Sequence, residues 1–111
     1  MPTPTPPRRM ERYLFLDDVR RAPQWWVPVR TPSDFVYMVT HYDWEIISFD
    51  NDLSGQQTDI TGRQLLHWMF EEGHLPKRKP RAHSGDVFAA PLMREFIDEQ
   101  WPAVLEQRKR Q

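Results

Sequence analysis

The segment Glu45-Ile46-Ile47-Ser48-Phe49-Asp50-Asn51-Asp52-Leu53 passes from apolar to acidic within a few residues. Ile46, Ile47 and Phe49 make a short apolar run that ends in Asp-Asn-Asp, and such a run closed by turn residues predicts a buried strand. A strand that stops in carboxylates carries negative charge to the rim of a sheet. Tyr13-Leu14-Phe15-Leu16 behaves alike, running straight into Asp17-Asp18. Laid side by side and parallel, the two strands bring four carboxylates to one rim.

The flanking segments fit that arrangement. The all-apolar first strand predicts cover on both faces, as in a parallel sheet. A polar turn leads to a second strand in Trp25-Trp26-Val27-Pro28-Val29-Arg30, where Pro28, lacking a ladder donor, predicts a sheet edge. Thr31-Pro32-Ser33-Asp34 reads as a helix start, and Phe35, Met38, Val39 and Tyr42 then follow on one apolar face. After the central strand, residues 54–60 read as a loop. Thr61-Gly62-Arg63-Gln64 has capping-box spacing before Leu65, Leu66, Trp68, Met69 and Phe70, and Gly73 is placed to close that helix. Residues 77–81 are a basic, proline-broken connector, and Ala82-His83-Ser84 ends a weak fourth strand. Asp86 can cap a helix carrying Leu92, Phe96 and Ile97, with Pro91 tolerated only near its first turn. Residues 101–109 read as a last, partly frayed turn or two, and no fifth strand is visible.

The alternation of strands and helices predicts an α/β fold: a three-layer, receiver-like (flavodoxin-like) architecture with a short, mostly parallel sheet of about four strands. Residues 1–11, rich in proline, read as a flexible leader, and residues 12–111 as a single domain. In open parallel sheets, ligands sit outside the carboxyl ends of the strands. Asp17, Asp18, Asp50, Asp52, His83 and Ser84 all fall at those ends.

Composition narrows the function classes. The 111 residues carry a net charge of −1, which gives no basic footprint for nucleic acid. Absence of cysteine excludes disulfides and thiolate metal sites. No apolar run approaches a membrane span, and the proline-rich start lacks the apolar core of a signal peptide. The expectation is a cytoplasmic protein without membrane attachment.

Four segments in register resemble a family. Leu16-Asp17-Asp18-Val19-Arg20-Arg21-Ala22-Pro23 is similar to the LDD-x-R-x-x-P signature of the cyclic-phosphate processing receiver-like domains, compact relatives of response-regulator receivers. Ser48-Phe49-Asp50-Asn51-Asp52-Leu53 resembles that family's S-L-D-H-D-L. Thr61-Gly62, with the helix reaching Trp68, resembles its T-G-x-x-L-x-x-W, and Ala82-His83-Ser84 its V-H-S. Asn51 replaces the family's histidine, and His83-Ser84-Gly85-Asp86-Val87 lacks the Asn-Pro of its H-S-x-N-P. The resemblance implies a receiver-like sheet, a divalent metal, and action on phosphate esters or cyclic phosphates.

Clustered carboxylates repel, and several at one rim have raised pKa values unless a cation neutralises them. Oxygen-only ligands suit a hard divalent cation, Mg²⁺ or Mn²⁺. The ligands expected are Asp17 or Asp18 with Asp50. His83 is placed to act as general acid or base, and Asp52 as an alternative ligand or a base for attacking water. Ser84, where receivers put a hydroxyl, and Arg20 are placed to bind phosphate oxygens. The structural counterpart is that these aspartates only cap helices and turns, a role Asp fills well.

Two functions from different classes follow. One is a metal-dependent phosphoesterase acting on a small phosphorylated ligand, a nucleotide or an RNA end. The other is a catalytically degenerate, receiver-like interaction module with a protein partner, of the kind a phage or mobile element encodes to modulate a host. A true phospho-receiver with Asp50 as acceptor fits less well, because receivers end a fifth strand in lysine and no lysine follows His83 before Lys109.

Overall fold

The computed structural model describes residues 3–56 and 58–111; Met1 and Pro2 of the expected leader and Gln57 of the expected loop lie outside the described residues. Four short strands, β1 (Tyr13–Leu16), β2 (Trp26–Val29), β3 (Ile46–Phe49) and β4 (Arg81–Ala82), form one sheet in the order β2-β1-β3-β4. Every pairing is parallel. Pro28 lies on an edge strand, where its missing N–H leaves no ladder bond unmade.

Three helices connect and close the sheet: α1 (Pro32–His41), α2 (Gly62–Glu72) and α3 (Ala89–Lys109). Local chemistry fixes their ends. The Thr31 hydroxyl accepts from the Asp34 N–H with Pro32 in the first turn. Thr61 and Gln64 form a reciprocal capping box at α2, and Gly73 ends that helix in the left-handed region at φ 77°.

Strand register dictates where the core lies. Leu14 and Leu16 of β1 pair with Val27 and Val29 of β2 and with Ile47 and Phe49 of β3. These residues share one pleat side and join Phe35, Met38 and Val39 of α1, Leu65, Leu66 and Met69 of α2, and Met93 and Ile97 of α3 in one apolar cluster. Side chains alternate across a strand, so Phe15, Ser48 and the residues two further on fall on the other pleat side. There Phe15 is buried beneath the edge of Trp26 and the stacked ring of His83. Strand β1 is therefore covered on both faces, as its unbroken apolar run implies.

Two details depart from the sequence reading. Residues 101–109 are not a separate frayed turn: α3 runs unbroken through Pro102 to Lys109. Trp101, packed edge-on against Phe70, and Arg108, bonded to the carbonyls of Pro76 and Lys77, hold both sides of the proline in place. The tryptophan pair also divides. Trp26 packs on Tyr13 and Phe15, whereas Trp25 stays exposed with a positive φ of 73°.

Candidate metal and phosphate site

The ladder bonds continue one residue beyond the strands. Asp17 N–H donates to the Val29 carbonyl at 3.1 Å, Asp50 N–H to Leu16 at 2.9 Å and His83 N–H to Phe49 at 2.9 Å. Asp17, Asp50 and His83 are thus set side by side at the carboxyl rim, on the pleat side shared with Phe15 and Ser48. Asp17, Asp18 and Asp50 each present an oxygen within 4.8 Å of the others. Of the four carboxylates expected at one rim, Asp17, Asp18 and Asp50 converge and Asp52 does not.

Each carboxylate is held differently. Asp17, fully buried, accepts from the Val19 and Arg20 N–H groups through Oδ1 and from His83 Nε2 through Oδ2 at 3.0 Å. Burial pushes its carboxyl up, but the Arg20 and Val19 N–H bonds and His83 outweigh that and leave it below the usual carboxylate range. Among the described residues, Asp50 accepts only from the Asn51 N–H. Burial, and then the charge of Asp17, push it above the usual range. Of the two, Asp50 is the carboxyl pushed up and Asp17 the one held down. Asp18 Oδ2 accepts from the Gly55 N–H at 2.8 Å, which fastens the 3-10 turn Ser54–Gln56 to the rim. That partnership was not foreseen from sequence.

The other anticipated residues stand around this cluster. Arg20 donates to the His83 carbonyl at 2.9 Å, and its half-exposed guanidinium lies 3.9 Å from Asp17 Oδ2. Ser84 is nearly buried, and its hydroxyl accepts from the Asp86 N–H. Asp52 is exposed, lies outside the three-carboxylate group, and accepts from the Ser54 N–H; the Ser54 hydroxyl and then that N–H hold its carboxyl low. His83 has both ring nitrogens engaged: Nδ1 with Ser48 Oγ at 2.7 Å and Nε2 with Asp17. Its ring stacks on Phe15 at 4.1 Å, the planes nearly parallel at 8°. Acid–base work by His83 would require one of those bonds to open. Ser48 and Phe15 were missed as site residues, although a lone hydroxyl within an apolar strand was a usable signal.

The substitutions Asn51 and Asp86 serve helix ends. Asn51 accepts from Gly62 N–H through its carbonyl and from Arg63 N–H through Oδ1. Asp86 Oδ1 accepts from the Phe88 and Ala89 N–H groups at the start of α3. Gly62 is required by close approach: a Cβ there would sit 1.5 Å from the Asp50 carbonyl oxygen.

The donor set fits a hard divalent cation. It offers three carboxylates and no sulfur, and one carboxyl is pushed up by burial and then by a neighbouring charge, both of which a cation would offset. Among the described residues, no helix is long and apolar enough to cross a membrane. No curated protein and no solved structure matches the chain. A family model, the cyclic-phosphate processing receiver domain, matches residues 12–99, spanning both acidic strand ends, Gly62 and His83. With that match and this receiver-like sheet, the chain belongs to the cyclic-phosphate processing receiver domains.

Proposed function

We propose that the domain is a divalent-metal-dependent phosphoesterase acting on a small cyclic phosphate or phosphate ester, such as a nucleotide or RNA end. The observation that carries this reading is the convergence of Asp17, Asp18 and Asp50 at the carboxyl rim of a parallel sheet. Asp17, Asp18 and Asp50 would hold Mg²⁺ or Mn²⁺, which when bound shields phosphate charge. Arg20, whose Nη1 donates to the His83 carbonyl, would offer its remaining N–H groups to a phosphate oxygen, and the Ser84 hydroxyl, already accepting from the Asp86 N–H, would donate its own proton. Asp52, exposed and outside the metal-holding group, would be the base for attacking water once it is released from Ser54. Hydrolysis of a panel of cyclic nucleotides and phosphate monoesters tests the reading. Turnover that needs Mg²⁺ or Mn²⁺, stops with chelator, and is lost in Asp50→Ala supports it. Absence of turnover across the panel with metal present contradicts it.

One observation favours the non-enzymatic reading. Val19, Val87 and Phe88, adjoining the rim residues in sequence, are largely exposed apolar side chains, as a docking surface would be. A stoichiometric protein partner, lost on Phe88→Ala while the panel stays inactive, would select it.

A further inference from the structure

Ser48 lies in the middle of β3 and is 4% exposed. Its hydroxyl meets His83 Nδ1 at 2.7 Å, and His83 Nε2 meets Asp17 Oδ2 at 3.0 Å. The order Asp, His, Ser is that of a nucleophilic triad. Here the serine is sealed inside the sheet, so no substrate carbonyl or phosphorus can reach its oxygen.

Hydrogen-bond satisfaction gives the chain a direction. A buried carboxylate only accepts, so Nε2 carries the proton that faces Asp17. The Ser48 O–H has one side-chain partner, Nδ1, and can donate only if that nitrogen is bare. One arrangement satisfies every group: Ser48 O–H to Nδ1, then Nε2–H to Asp17. An ionised carboxylate has about four lone-pair sites. The Val19 and Arg20 N–H groups and His83 take three of those on Asp17, leaving one, on Oδ2. Stacking on Phe15 prevents the imidazole from turning away.

We propose that Ser48 is a positioning residue: by donating to Nδ1 it anchors the His83 ring, whose Nε2–H faces Asp17, and so keeps Asp17 turned with the last lone pair of Oδ2 toward the cation position between Asp18 and Asp50. The inference depends on the proposed function only in giving Asp17 a cation to bind. Outer-shell partners of this kind set the orientation of a ligand without touching the metal.

The tautomer is readable in the metal-free protein by long-range ¹H–¹⁵N correlation of the His83 ring. The expected spectrum of the wild type is a neutral ring with a protonated Nε2 and a bare Nδ1. Ser48→Ala should keep the Nε2–H tautomer but move the Nδ1 signal to that of a nitrogen receiving no hydrogen bond, and Ser48→Thr, which keeps the hydroxyl, should restore the wild-type Nδ1 signal. An Nδ1–H tautomer or an imidazolium in the wild type overturns the proposal, with no variant needed. So does a Ser48→Ala spectrum identical to wild type. In Mn²⁺ titrations, Ser48→Ala should bind about 10-fold or more weakly, with Ser48→Thr near wild type. Equal Mn²⁺ affinity in Ser48→Ala and wild type also overturns it. Failure of the wild type itself to bind Mn²⁺ counts against the proposed function, and the ring spectrum judges the tautomer separately.

Discussion

Replacing Asp50 with Asn removes the carboxylate that burial and the Asp17 charge push above its ordinary range. The two ligand oxygens lie no more than 4.8 Å apart, and at an effective dielectric of about 20 the repulsion is about 3.5 kcal/mol. The Asn51 N–H, His83 and Arg20 offset part of it. A net gain of about 1–2 kcal/mol is expected for Asp50→Asn in chelator at neutral pH. Unfolding entropy of about 2.1 cal/mol/K per residue gives about 0.23 kcal/mol/K for 111 residues, so Tm should rise by about 4–9 °C. Saturating Mg²⁺ should reverse the order. At 100 times Kd, a bound ligand stabilises the wild type by about 2.7 kcal/mol, or about 12 °C. The variant, short of one ligand, should gain little of this. Calorimetry of both proteins with chelator and with Mg²⁺ reads all four values. Lower stability of Asp50→Asn in chelator, or a full Mg²⁺ shift in that variant, would refute the reasoning.

Further outcomes follow from the same geometry. Gly62→Ala places a Cβ on the Asp50 backbone carbonyl, which cannot swing aside, so urea unfolding should show a loss of about 3 kcal/mol; a loss below about 1 kcal/mol would contradict the close approach. Gly55→Ala meets the movable carboxylate of Asp18 at 2.5 Å, so stability should change by less than about 1 kcal/mol while calorimetric Mn²⁺ affinity falls about 10-fold. The pH response has two opposing parts. Asp50, raised in the folded state, contributes stability below its unfolded value of 3.8 that is lost as pH rises through the higher folded value. Asp17, lowered, contributes stability above 3.8 that is lost as pH falls through its lower folded value. In chelator, urea midpoints of wild type should therefore drop relative to Asp50→Asn as pH rises above 3.8, and Mn²⁺ affinity should climb through the same window.

Much of the fold was legible because the signals are local. Apolar runs ending in Asp marked β1 and β3, Pro28 marked the edge, and Thr31, Thr61 and Gly73 marked helix ends by their own chemistry. Residues 101–109 read as frayed because the contacts of Trp101 and Arg108 that carry α3 through Pro102 are tertiary and leave no local mark. At the site, sequence placed Asp50 among the ligands and kept Asp52 as an alternative ligand or a base. Register separates them, since Asp50 still bonds to β1 while Asp52 lies past the last ladder bond and turns to Ser54. The tie between Ser48 and His83 spans 35 residues and arises only when β4 pairs beside β3. No spacing rule reaches it.

The central claim is that three aspartates, delivered by two parallel strands, form one cation site. The most direct measurement is an anomalous difference map from a crystal grown with Mn²⁺. The account predicts a single strong peak bonded to oxygens of Asp17, Asp18 and Asp50. A map without a peak there, or with Mn²⁺ held by other residues, would contradict it.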